Sequence, residues 1–168
     1  STPLYSSAAS DVYKRQNQAK TKPAVQEALE KAKELNEAMK ALRSEISKKD
    51  QVKGESKYIN ADNNKQSTYD SALNRGSQII TTTQPPELDK DAINRATQAI
   101  TNAENELNGQ AKLTEAISNG KQEVNNLHGL TQAQKDKEHE LINQAPTKSQ
   151  VAEIINNAKQ LDNAMNQL

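Results

Sequence analysis

One segment of this chain occurs twice, and the repeat limits the fold more than any other feature. Residues 17–42 align without gaps on residues 143–168, and 13 of the 26 positions are identical. The copies are 126 residues apart and share the lead-in Asn-Gln-Ala-x-Thr-Lys as well as the apolar positions. A fixed period of this kind indicates a string of similar units. The chain therefore contains one full unit, 43–168, preceded by the end of another.

The first sixteen residues differ in character from the rest. Residues 11–16, DVYKRQ, occupy the place that KEHELI has at 137–142 before the second copy, and the two segments have nothing in common. The DNA string GATGTGTATAAGAGACAG encodes DVYKRQ and resembles the transposase recognition end of a sequencing adapter. We interpret residues 1–16 as a non-native, adapter-derived tail, which we exclude from the fold and expect to be disordered.

Apolar residues recur at steps of three and four along the remaining chain, which is typical of amphipathic helices. No segment alternates with period two, so we predict no strands. Six helices are expected: 24–52, from Asp62 to about residue 80, from Asp89 to 108, 111–127, from Thr131 to about 144, and from Thr147 to 168. Asp62 and Asp89 are predicted N-caps, Thr131 with Gln134 and Thr147 with Gln150 predicted capping boxes, and Asn108-Gly109 a left-handed helix stop.

Helices joined by short loops pack as antiparallel neighbours. We therefore predict an all-α fold with two three-helix bundles in tandem, joined by long helices into an elongated, rod-like repeat. The domains expected are the last helix of a preceding module at 17–42, a first bundle at 43–108 whose first helix continues the preceding one, and a second bundle at 109–168.

Composition excludes several classes of function. Lys and Arg together number 22, as do Asp and Glu, so no overall charge favours nucleic acid or an anionic membrane. Cysteine is absent, which excludes disulfides and thiolate chemistry. No apolar run is long enough to span a membrane. If the protein is exported, its export and anchoring signals lie outside this sequence.

The residues that could carry chemistry do not form a pattern. The only histidines, His128 and His139, lack further ligands at compatible spacing, so no metal site is predicted. Carboxylates two residues apart on a helix do not face each other and cannot act as acid–base pairs. Tyr58 and Tyr69 are expected to pack, the first at a helix junction and the second in the core. We therefore predict no catalytic, cofactor-binding or metal-binding residue, and no enzyme.

Two stretches carry family resemblances. YINADNNKQSTYDSALNRGSQII at 58–80, followed by DAINRATQAITNAENELNG at 91–109, resembles the FIVAR module, whose pattern is Y-x-N-A-D, K-Q, A-Y-x-x-A and a final L-N-G. LTEAISNGKQEVNNLHGLTQAQKD at 113–136 with INQAPTKSQVAEI at 142–154 is similar to the GA module and its G-L-T-x-x-Q turn. FIVAR and GA modules alternating at this period resemble the family of giant staphylococcal extracellular matrix-binding proteins of the Ebh type.

The resemblance implies a monomeric segment of a bacterial cell-surface stalk, with roles in adhesion to matrix proteins such as fibronectin and in envelope integrity. Cell-wall components are implied as a second kind of partner. Albumin binding is not expected, because Lys135, Asp136, Lys137 and Glu138 occupy the helix that contacts albumin in albumin-binding GA modules. Two alternatives stay open: a dedicated module for a host protein such as albumin, and an intracellular helical scaffold.

Overall fold

The computed structural model describes the backbone of residues 4–168 and the side chains of Ser10 and residues 21–168. Its elements are all helices: α1 (Leu4–Ser47), α2 (Lys49–Lys53), α3 (Ser56–Ile59), α4 (Asn63–Thr81), α5 (Lys90–Asn105), α6 (Gly109–Asn125), α7 (Gln132–Gln144) and α8 (Lys148–Asn166). The described residues contain no strand. The predicted all-α class is therefore confirmed.

The first helix is longer than the periodicity predicted. It has 44 residues, which corresponds to about 66 Å at about 1.5 Å per residue. We predicted residues 1–16 to be disordered, whereas the backbone of residues 4–16 is part of this helix. Residues 1–3 lie outside the described part of the chain. Extending an existing helix adds one hydrogen bond for each residue ordered, and residues 4–16 contain neither Gly nor Pro. Pro23 lies inside α1 and removes one backbone hydrogen bond between this segment and the rest of the helix.

The C-terminal half of α1 packs with α4 and α5 around the first core. Leu42, Tyr69, Ile93 and Ile100 are fully buried there. Smaller residues fill the seams between the helices, which suits a chain without Phe or Trp. A loop with Pro85 and Pro86 separates α4 from α5, because two consecutive prolines remove two backbone donors and disfavour helical backbone in the residue before each of them.

The helices α6, α7 and α8 pack around a second core. Val124, Ile142, Val151 and Ala158 are buried at its centre. The loops that join these helices span residues 126–131 and 145–147, which are too short to allow any arrangement other than antiparallel neighbours.

The predicted helix caps form only where the capping side chain and the backbone group that it bonds are close in the chain. Thr131 and Gln134 form the predicted capping box, and Asp89 accepts a hydrogen bond from the Asp91 backbone. Thr147 caps α8 by accepting a hydrogen bond from the Gln150 backbone, but the predicted capping box is incomplete, because the Gln150 side chain makes no return bond to the Thr147 backbone. The prediction for Asp62 was wrong, since its side chain makes no capping bond to α4.

The predicted left-handed stop at Asn108-Gly109 was wrong too. No described residue has a positive φ. Helix α5 ends earlier, at Asn105, and Gly109 is instead the first residue of α6. A Cβ on Gly109 would collide with the Ser56 carbonyl oxygen and lie 2.6 Å from that of Lys57. Glycine is needed here for a close approach between α3 and α6, not for its backbone conformation.

Candidate interaction surfaces

The two histidines lie on different parts of the second bundle. His128 is exposed in the turn after α6. His139 is half-buried on α7, with Nε2 3.2 Å from the Lys121 carbonyl oxygen. This contact joins α7 to α6 and was not predicted from the sequence. Within the part of the chain that the structure describes, no group of three or more His, Asp or Glu side chains could hold a metal ion.

Both tyrosines outside the first sixteen residues have structural surroundings. The Tyr58 hydroxyl donates to Asp70 at 3.0 Å, and its ring meets Tyr69 edge-on with centroids 6.1 Å apart. Lys53 forms an ion pair with Asp70 at 3.1 Å and lies over the Tyr58 ring. Tyr69 is fully buried, and burial together with neighbouring carboxylates raises the pKa of its hydroxyl to about 12. That hydroxyl therefore stays protonated at neutral pH.

The carboxylates form separate pairs on the surface instead of a converging site. Glu104 accepts from Lys57 at 2.7 Å, and Asp136 accepts from Gln132 at 2.9 Å. Burial raises the pKa of the Glu138 carboxyl above its usual value. Glu104 on α5 and Asp136 on α7 therefore belong to separate surface contacts.

A shallow groove of about 360 Å³ lies between α7 and α8. Its apolar lining includes Leu141, Pro146 and Ile154, and Leu141 is an exposed leucine. The polar part of its lining is formed by Gln144, Gln150, Glu153 and Asn157. The groove combines a small apolar patch with polar side chains, which is the general form of a weak protein-binding surface.

A second surface is an apolar stripe on α1 before the first bundle begins. Val25 is 64% exposed and Leu29 is 50% exposed. In the repeat alignment these residues correspond to Val151 and Ile155, which are only 2% and 8% exposed in the second bundle. The same sequence pattern is therefore covered by α6 and α7 in one copy and uncovered in the other.

The two bundles meet at a set of direct contacts that we call the joint. It consists of Ser56, Lys57, Asn60, Asp62 and Asn108 from the first bundle and Gly109, Pro146 and Lys148 from the second. Asn60 is 1% exposed, donates to the Pro146 carbonyl at 3.1 Å and accepts from the Lys148 backbone at 2.8 Å.

Asp62 and Asn108 add a reciprocal pair to the joint. The Asp62 backbone donates to Asn108 Oδ1 at 3.0 Å, and Asn108 Nδ2 donates to Asp62 Oδ2 at 2.8 Å. The bond from Asn108 lowers the pKa of the Asp62 carboxyl. Sequence reasoning missed the joint because its partners lie 46 to 88 residues apart in the chain. The Y-x-N-A-D motif was the only signal, and it carries no information about its partners.

Alternating helical bundles with a 126-residue period define a class of tandem-repeat helical proteins. Residues 38–108 match the model of the FIVAR domain, and residues 13–38 and 110–164 match that of the GA module. The chain belongs to the family of proteins built from FIVAR and GA modules.

Comparison with individual proteins shows which members of this class the chain is similar to. Over 152 residues, or 90% of this chain, it is 38% identical to the extracellular matrix-binding protein ebh of Staphylococcus aureus strain MRSA252. It is 37% identical to EbhA of strain Newman over the same share. The chain spans only 1% and 4% of the lengths of these relatives.

Solved structures give the same relationship. A crystal structure of an EbhA segment from Staphylococcus aureus has a TM-score of 0.68 and 35% identity, over 76% of this chain and 50% of that one. A second Staphylococcus aureus domain, similar to streptococcal adhesins, has a TM-score of 0.67 and 26% identity, over 75% of this chain and 98% of that one. No helix in the described part of this chain is long and apolar enough to cross a membrane.

Proposed function

We propose that this chain is a structural and adhesive repeat segment of a giant bacterial cell-wall-associated protein, in which it acts as a helical stalk. The observation that carries the proposal is the long helix α1, whose C-terminal half lies in the first core while its preceding turns expose an apolar stripe. A helix that belongs to two consecutive bundles resists bending between them. A string of such units is stiff and holds adhesive surfaces away from the cell.

The same helix supports the module boundaries that we propose. Residues 17–42 are the last helix of a preceding GA-like module, 43–108 form a FIVAR-like bundle and 109–168 a GA-like bundle. The match of residues 13–38 to the GA model supports this division. The exposed Val25 and Leu29 support it too, because their counterparts Val151 and Ile155 are buried by α6 and α7.

The partner that we propose is a host matrix protein of the fibronectin type or a cell-wall component. Support comes from the relatives, which are named extracellular matrix-binding proteins. Albumin is not proposed, since the exposed Asp136 and Lys137 on α7 lack the apolar anchors that hot spots need. A bacterial cell-surface location follows from this role.

Solution scattering tests the stalk. Residues 17–168 are measured beside the full chain, so that the length of residues 1–16 does not decide the result. A compact domain of about 150 residues has a radius of gyration of about 15 Å. We expect residues 17–168 to give a clearly larger radius and a rod-like distance distribution. A compact radius would contradict the stalk.

Titration with fibronectin and with albumin tests adhesion. If the chain binds fibronectin through the groove between α7 and α8, Leu141→Lys weakens binding at least tenfold, equivalent to about 1.4 kcal/mol. Leu88→Lys changes another exposed leucine, which lies outside the groove and is 70% exposed against 38% for Leu141, and is the matched control. Binding that both variants preserve would exclude the groove. No binding to fibronectin at tens of micromolar would leave the chain a spacer without an adhesive role.

A further inference from the structure

The joint between the bundles contains the one polar side chain that is buried outside both hydrophobic cores, among the residues that the structure describes. Asn60 is 1% exposed, although asparagine is mostly a surface residue. It belongs to neither core cluster. A buried amide is retained only where its donors and acceptors are satisfied, so its partners indicate what it is for.

The partners of Asn60 come from both bundles. Its Nδ2 donates to Ser56 Oγ at 2.9 Å and to the Pro146 carbonyl at 3.1 Å, and its Oδ1 accepts from the Lys148 backbone at 2.8 Å. Lys148 is the first residue of α8, and its backbone N–H has no acceptor within the helix. One side chain therefore satisfies two backbone groups of the second bundle while anchored to the first.

On the other side of the joint, the backbones of the two bundles are in close contact. Gly109 packs so closely on the Ser56 and Lys57 carbonyl oxygens that a Cβ would collide with them. Pro146 has a fixed φ, which removes one degree of backbone freedom next to the carbonyl group that Asn60 contacts. Ala61 and Ala145, beside these contacts, are buried as well. Water is kept from the hydrogen bonds, so each is expensive to break.

We propose that Asn60 is a positioning residue that fixes the orientation of the second bundle relative to the first. Two domains in one chain move relative to each other by default unless their interface prevents it. A bidentate amide on the backbone before and at the start of α8, with Gly109 in contact on the other side, opposes both rotation and separation. The Asn60 contact holds independently of any ligand, so ligand titrations and the test of the joint succeed or fail separately.

Distance measurements between two spin labels test this role. The chain has no cysteine, so Asn94→Cys on α5 and Gln160→Cys on α8 give labels at two exposed sites, one on each bundle. We expect one narrow distance distribution in the otherwise unchanged chain. Asn60→Ala and Gly109→Ala, which disturb the joint from opposite sides, are expected to broaden it by about twofold or more, because the bundles then move independently.

Asn64→Ala is the matched control, because Asn64 is an exposed asparagine four residues away in the first bundle. It is expected to leave the distribution unchanged. Circular dichroism is measured on every variant, and the helical signal is expected to stay. An unchanged distribution in both Asn60→Ala and Gly109→Ala would overturn the proposal. Unfolding of either bundle by Asn60→Ala would overturn it too, since Asn60 would then be a folding residue of one bundle.

Discussion

At the scale of single residues, Gly129 marks a place where a loop and a helix touch. Its backbone N–H donates to Asp162 Oδ1 at 2.7 Å. A Cβ at this position would lie 2.7 Å from both the carbonyl oxygen and Oδ1 of Asp162. The loop between α6 and α7 is thus pressed against the last turns of α8. A side chain of any size would force the loop away and break the hydrogen bond.

Gly129→Ala is expected to destabilise the second bundle by about 1–3 kcal/mol, the usual range for an added methyl in a packed site. Gly54→Ala is the matched control, since a Cβ there meets its nearest atoms at 3.5 Å and φ is −85°. It is expected to be neutral or to stabilise by up to about 1 kcal/mol. Urea unfolding followed by circular dichroism measures both, and equal midpoints for the two variants would contradict the contact.

At the scale of elements, an interaction could be predicted only where its partners lie close together in the sequence. The helices and the capping box at Thr131 follow from patterns within a few residues, and the structure contains them. Asp62 satisfied the same local rule for an N-cap, but its side chain pairs with Asn108, 46 residues away. The predicted stop at Gly109 failed for a similar reason, because α3 requires the glycine. Local sequence patterns predict helices and caps, whereas contacts between residues that are distant in the chain have no local signature.

Thr131→Ala is expected to lower the stability of the second bundle by about 1 kcal/mol, since it removes the side-chain acceptor for the Gln134 backbone N–H. Thr114→Ala is the control, because the Thr114 hydroxyl only bonds back to the Gln110 carbonyl within α6. That substitution is expected to cost nothing, since alanine is the better helix former. Denaturant midpoints compare the two, and equal losses would show that Thr131 does not act as a cap.

At the scale of the whole molecule, equivalent positions of the repeat have opposite environments. Leu42 is 0% exposed in the first core, whereas Leu168, its counterpart 126 residues later, is 99% exposed. This difference in exposure is expected if the last helix of each GA-like bundle continues into a FIVAR-like bundle. Under the module boundaries proposed above, Leu168 takes the place of Leu42 and would be buried only by a FIVAR-like bundle.

Leucine-to-alanine substitutions test this phase of the repeat. Leu42→Ala is expected to cost about 2–5 kcal/mol, as in other cores, and Leu168→Ala less than about 0.5 kcal/mol in this chain. In a chain extended after Leu168 by a copy of residues 43–108, Leu168→Ala is expected to cost as much as Leu42→Ala does. Circular dichroism first establishes that the extension is helical, and denaturant unfolding then measures the loss. If the extension folds and Leu168→Ala stays neutral, the helix does not continue into a following bundle, and the stalk cannot owe its stiffness to shared helices.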